Sequence, residues 1–331
     1  MRNLIEDFPA QLRRGIKVAE SLRFVAPATS IRNVLVAGMG GSGIGGSLVE
    51  ALVNNECPVP IAVLKSYDVP AWVGPETLFI ASSFSGNTEE TLAALQQAFD
   101  RSATVAAITS GGKVLQLAEE RGLTLAKIPA EAPAPRAFLG YSFIQLLFVL
   151  RAYDLIGDSF GNDLEAGISY LEHNQVGIRQ EAERLADLLV DKLPVVYADA
   201  RLLPVILRLQ QQINENAKQL CHVNVFPEMN HNELVGWVYP KPSLSQTVTL
   251  LVQSGYDHPR VRMRMEVCQP ILAAASGYVE TITAQGQSFL EQCLYLINLF
   301  DWTSLLLAER NGVDPFPVAV IDQLKNSLAG K

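Results

Sequence analysis

An apolar run, Asn33-Val-Leu-Val-Ala37, breaks directly into Gly38-Met-Gly-Gly-Ser-Gly-Ile-Gly-Gly46, and a helical pattern follows over 43–52. A short, wholly apolar run reads as a strand buried on both faces of a parallel sheet. Parallel strands need helical crossovers, so this junction commits the chain to an α/β fold. The alternation continues, with strands expected over 59–64, 77–81, 104–108 and 123–128 and a helix over 89–100. Together they predict a doubly wound parallel sheet with right-handed crossovers. A leading amphipathic helix is expected over 3–24. Three prolines and three alanines within 129–135 close the unit, ahead of an apolar helix over 141–152.

The second half follows the same plan. Strands are expected over 193–198, 247–252 and 279–282, and helices over 203–219, 260–275 and 289–307. With 331 residues, about twice a typical ~150-residue domain, two domains are expected. The expected boundaries are 1–152, a helical connector over 153–190, and 191–331.

Composition narrows the partners. Hydrophobic residues make up 49% and charged residues 18%, which excludes a disordered chain and indicates a large core. A net charge of −8 argues against nucleic acid or anionic membrane as partners, so any bound anion needs a local device. The four cysteines form no C-x-x-C pair, which argues against a disulfide framework or zinc ribbon and fits a reducing cytosol. The first eight residues include acids where a signal peptide would be apolar. The apolar stretch 294–308 contains Asp301 and is too short to span a bilayer. A soluble, cytoplasmic protein is expected.

Gly38, Gly40 and Gly43 satisfy the G-x-G-x-x-G spacing of dinucleotide sites. That reading requires an acid at the end of the second strand to hold a ribose. The strand ends instead in Leu64-Lys65-Ser66, and Asp68 comes too late. A second turn, Ala81-Ser-Ser-Phe-Ser-Gly-Asn-Thr88, offers the hydroxyls of Ser83, Ser85 and Thr88 at a helix start. An ordinary N-cap by Asn87 or Thr88 would explain one hydroxyl, not three. Two such turns at strand ends, where parallel sheets bind ligands, predict a phosphate cradle built from hydroxyls and free N–H groups. The corresponding turns of the second half, Asp199-Ala-Arg-Leu-Leu203 and Gln253-Ser-Gly-Tyr-Asp-His258, lack that chemistry, so one phosphate site per chain is expected.

Gly40-Gly-Ser42 and Ser83-Phe-Ser-Gly-Asn-Thr88 resemble the sugar isomerase (SIS) domain, whose members bind phosphosugars. Three further stretches resemble one branch, the bifunctional phosphoglucose/phosphomannose isomerases. They are Pro135-Arg-Ala-Phe-Leu-Gly-Tyr141, Asn214-Glu-Asn-Ala-Lys218 with Pro227-Glu-Met-Asn-His-Asn232, and Gly312-Val-Asp-Pro315 ahead of Lys325. The resemblance spans nearly the whole chain. It implies two SIS-type domains, a phosphosugar substrate and a homodimer. The reaction implied is reversible isomerisation of glucose 6-phosphate, with mannose 6-phosphate as a further substrate, to fructose 6-phosphate. Gly40, Gly41, Ser42, Ser83, Ser85 and Thr88 would bind phosphate.

The resemblance also assigns the catalytic roles. Glu215 is implied as the enediol base; read alone, a solvated helix carboxylate paired with Lys218 or another neighbour is the favoured reading, which the surrounding motif reverses. His231 is implied as a ring-opening group contributed to the partner subunit's site, with Lys325 as the second such group and Arg136 at the enediolate. His173, His222 and His258 read as structural hydrogen-bonders. Glu228, His231 and Glu233 could suggest a metal, but the second histidine of H-E-x-x-H is missing. No metal or cofactor is expected. A different SIS-domain isomerase or a non-catalytic phosphosugar sensor would share the phosphate turns without the Glu215, His231 and Lys325 set.

Overall fold

The structure, a computed structural model, describes residues 1–130 and 134–329, so part of the proline- and alanine-rich 129–135 stretch lies outside the described residues. The chain divides into two units. One comprises Glu6–Asn174 with Gln285–Tyr295; the other comprises Met1–Ile5, Gln175–Ala284 and Leu296–Lys331. The boundary between Asn174 and Gln175 falls within a 30-residue helix, Phe160–Leu189, and that between Tyr295 and Leu296 within the helix Phe289–Arg310.

In the first unit, strands β1 (Asn33–Ala37), β2 (Ile61–Leu64), β3 (Thr77–Ser83), β4 (Thr104–Thr109) and β5 (Thr124–Lys127) form one parallel sheet in the order β2-β1-β3-β4-β5. Every residue of β3 is buried, as the apolar pattern requires of a central strand. Ala37 pairs with Leu64 on one side and Ala81 on the other, so β1 and β3 end side by side where the strand order reverses. That reversal opens a crevice at the carboxyl ends of the strands. The helix Leu139–Ala152 is buried from Leu139 through Leu150, the all-round apolar pattern of a core helix. The leading helix is two pieces, Arg2–Glu6 and Phe8–Ala19, rather than the one expected over 3–24. Pro9 is tolerated only in a first turn, so a new helix starts there.

The second unit repeats the topology. Strands β6 (Leu193–Asp199), β7 (His222–Phe226), β8 (Thr247–Gln253) and β9 (Tyr278–Thr283) are parallel in the order β7-β6-β8-β9. β6 thus stands where β1 does and β8 where β3 does. β7 was not legible in the sequence: it is an edge strand whose burial is partial and whose polar residues, His222 and Asn224, break the apolar run. Among the described residues no helix is long and apolar enough to cross a membrane.

Candidate active site

The turn after β1 is pressed against the end of β3. A side chain at Gly38 would lie 2.8 Å from the Ser82 carbonyl oxygen, and one at Gly43 only 2.5 Å from the Gly38 oxygen. The helix Gly40–Val53 therefore starts on bare backbone, with Met39 at its cap making no side-chain capping bond. The N–H groups of Ser42 and Gly43 turn back to the Met39 oxygen at 3.1 and 3.2 Å, and a glycine-rich helix start of this kind is suited to an anion. Gly41 and Ser42 line a cleft there with Ser82, Phe84, Phe138 and Ser142. Arg136 is brought beside this loop: it is buried in the short turn Pro135–Phe138, and a side chain at Gly41 would come within 3.6 Å of its Cα. At the end of β2 stands an ammonium rather than a ribose-binding acid, the Lys65 Nζ donating to Ser47 Oγ at 3.2 Å.

The turn after β3 gathers its hydroxyls. Ser83 Oγ and Thr88 Oγ1 share a hydrogen bond of 2.9 Å, Gly86 N–H donates to Ser83 Oγ at 3.1 Å, and Asn87 N–H donates to Ser85 Oγ at 3.2 Å. Thr88 occupies the cap position of the helix Glu89–Asp100 yet makes no side-chain capping bond. Asn87 serves the neighbouring loop instead, its Oδ1 accepting from Lys113 N–H at 3.1 Å. The simple N-cap account of this turn therefore fails. Gly86 has φ +66°, and its absent side chain would sit 1.8 Å from the Gly111 carbonyl oxygen. The turn is thus latched to the loop after β4, with Ser110 N–H and Oγ both donating to the Phe84 oxygen. Sequence reading missed that loop; Ser110-Gly-Gly112 was its signal.

The equivalent crevice of the second unit is filled by the chain itself. The buried Asp199 carboxylate, at the end of β6, accepts from Arg201 N–H at 3.0 Å and from His258 N–H at 3.2 Å. Beside it, burial pushes the Asp257 carboxyl up to about 6 against the Ser254 N–H that favours its charged form, and the Asp199 charge adds to the rise. A side-chain anion here accepts donors from both turns that frame the crevice.

Glu215 does not lie in a regular helix as 203–219 predicts. The helix Leu203–Gln212 widens into Ile213–Ala217, where the Lys218 N–H reaches back five residues to the Ile213 oxygen. Lys218 closes the turn in the left-handed region, at φ +56°. Its ammonium donates to the Glu215 main-chain oxygen and, at 3.5 Å, to the Pro315 oxygen. The Asn214–Lys218 and Gly312–Pro315 stretches, far apart in sequence, are therefore neighbours. Such widened turns concentrate at functional positions. Glu215 is half-buried there.

His231 ends the short turn Glu228–His231 and is exposed, as is Lys325 on the helix Ala319–Ala329. Two residues after His231, Glu233 anchors a network that sequence reading missed. Its carboxylate accepts from the Tyr197 hydroxyl, from His222 Nε2 at 2.9 Å and from Asn224 Nδ2 at 2.5 Å, while Trp237 Nε1 donates to the Tyr197 oxygen at 3.0 Å. Burial alone would raise the Glu233 carboxyl, but the bonds from His222, Asn224 and Tyr197 outweigh it and hold the group at about 2. The bond to Glu233 raises His222 in turn. A depressed carboxylate stabilises the fold above its unfolded value near ~4.3, and that stability is lost as pH falls towards about 2. Partial exposure screens the effect, leaving a contribution on the order of 1–2 kcal/mol. Thermal melts between pH 5 and 2.5 should fall steeply, and Glu233→Gln should flatten that fall. The raised His222 acts oppositely, stabilising below its unfolded value and ceasing to do so as pH rises through its folded value.

Residues 178–328 match the family described as the bacterial phospho-glucose isomerase C-terminal SIS domain. Over 98% of both chains, the sequence is 37% identical to a bifunctional phosphoglucose/phosphomannose isomerase of Caldicellulosiruptor bescii. It is 34% identical, over 91% of both chains, to the enzyme of the same name from Aquifex aeolicus. In fold it is similar to the C-terminal domain of glucosamine-fructose-6-phosphate aminotransferase from Francisella tularensis. That likeness has a TM-score of 0.72 at 15% identity and covers 94% of this chain and 96% of the other.

Proposed function

The chain belongs to the family of bifunctional phosphoglucose/phosphomannose isomerases, and from that membership we propose how its residues interconvert glucose 6-phosphate, mannose 6-phosphate and fructose 6-phosphate. The observation that carries the reading is the 37% identity to such an isomerase over 98% of both chains. The latched hydroxyl turn and the bare helix start beside it support it.

The phosphoryl group is held by Ser42, Ser83, Ser85 and Thr88 with the N–H groups at Gly40 and Gly41. Hydroxyl and amide donors bind one phosphate without a lysine cluster, which suits a chain of net charge −8. Binding remote from the reacting carbons orients the substrate. Ring opening moves a proton between the anomeric hydroxyl and the ring oxygen, the work of Lys325 and of His231 of the partner subunit, whose imidazole can both accept and donate a proton. Glu215 then takes the proton from C2 of the open aldose. The C2–H electron pair forms the C1–C2 double bond, and the C1 carbonyl becomes an oxyanion that Arg136 stabilises. Return of that proton to C1, with the O2 proton passing to O1, leaves the ketose. The intermediate is planar at C2, so in reverse one face gives glucose 6-phosphate and the other mannose 6-phosphate.

A coupled assay of each phosphohexose, without added metal or cofactor, tests the reading. Fructose 6-phosphate should form from both aldoses, and failure with glucose 6-phosphate would overturn it. The homodimer has its own test. Glu215→Gln and His231→Ala, each inactive alone, should regain about a quarter of parental activity on statistical subunit mixing. Half the dimers are then mixed, and each carries one intact site. No recovery after verified exchange would place His231 in its own subunit's site. The cysteine usage fits action in a reducing cytosol.

A further inference from the structure

Arg208, Gln212 and Asn216 recur at four-residue spacing and all face one segment, 296–310. Arg208 Nη2 and Gln212 Nε2 donate to the two carboxylate oxygens of Asp301 at 2.6 and 3.0 Å. Asn216 Nδ2 donates to Ser304 Oγ at 2.9 Å, and that hydroxyl donates to the Asp301 main-chain oxygen at 2.8 Å. All five side chains are buried, none more than 4% exposed. Asn311 Nδ2 closes the end by donating to the Ala217 oxygen at 3.1 Å.

An apolar interface of the same volume would stabilise this packing as well or better, because a buried ion pair gains little over its desolvation. What a ladder of directional bonds adds is geometry. Leucines permit a helix to rotate or slide by fractions of a turn; a carboxylate gripped by two donors does not. The ladder runs into the widened turn and ends on Asn216, next to Glu215.

We infer that Asp301 and Ser304 are positioning residues that hold the Glu215 turn in register for proton transfer. The inference rests on the reading of Glu215 as the enediol base. A carboxylate displaced by about 1 Å loses up to ~10² in rate and lets the abstracted proton escape to solvent before it is returned. Ser304→Ala removes the Asn216 bond, and Gln212→Met removes one donor to Asp301 at nearly constant volume. Either folded variant carries the test, with glucose 6-phosphate deuterated at C2 as substrate. The expected result is kcat lowered about tenfold, KM within about twofold, and a smaller fraction of deuterium delivered to C1 of the product. Folded variants with parental kcat and parental internal transfer would overturn the positioning role. So would a loss confined to thermal stability. Glu215→Gln, assayed in parallel, separates the two readings: parental turnover in that variant would overturn the base assignment itself and the positioning role with it.

Discussion

Glu215→Gln should lower kcat by about 10²–10⁴ while leaving KM and the thermal midpoint nearly unchanged. The amide keeps the size of the carboxylate and one of its two acceptor oxygens, and the buried contacts of the turn made by its neighbours, Asn216 through Ser304 and Ala217 through Asn311, are untouched. In the proposed mechanism substrate affinity resides in the phosphate turns after β1 and β3, which this change does not touch. Losing the group that moves the C2 proton should therefore appear almost wholly in turnover. Steady-state kinetics on a variant with an unchanged melting curve decides the matter. A kcat within a few-fold of the parent would remove Glu215 from the mechanism.

Gly86→Ala should be the most damaging single-methyl change in the first unit. At φ +66° any side chain costs about 1–2 kcal/mol, and the new carbon would stand 1.8 Å from the Gly111 carbonyl oxygen. The contact is backbone against backbone, so the loops after β3 and β4 must separate. The bonds joining them, Ser110 N–H to Phe84 and Val114 N–H to Gly86, would be lost together. Ser83 and Thr88 would then no longer converge. The expected result is a KM for the phosphosugar raised at least about tenfold and a fold less stable by more than about 2 kcal/mol. Ser85→Ala is the companion variant: Ser85 is exposed and accepts one local bond, so its effect should be confined to substrate binding. Parental KM in Gly86→Ala would mean that the turn does not hold the phosphate.

Much of this was readable from the residues, for identifiable reasons. Parallel strands buried on both faces announce themselves as apolar runs, and β1, β3, β4, β6 and β8 did so. The two glycine- and serine-bearing turns are legible because few other structures require that composition at a strand end. Partly exposed β7 carries no such run. The helix over 203–219 had the right pattern but the wrong pitch: the widened turn Ile213–Ala217 is bonded to Ser304 and Asn311, which are distant in sequence. The Glu233 network is invisible for the same reason. Its partners Tyr197, His222 and Asn224 come from two adjacent strands, and only their pairing brings them to one carboxylate. The Asp199 carboxylate, bonded to N–H donors of both turns, adds a physical reason for expecting one phosphate site, where the sequence offered only the poorer hydroxyl content of those turns.

In the proposed reaction, proton transfer runs through an enediolate common to all three phosphohexoses. Its most direct test is prolonged incubation of glucose 6-phosphate with the protein in deuterated water, followed by NMR. The expected outcome is a mixture of glucose, mannose and fructose 6-phosphates in which solvent deuterium accumulates at C2 of both aldoses. Interconversion without deuterium at C2, or no interconversion at all, would contradict it.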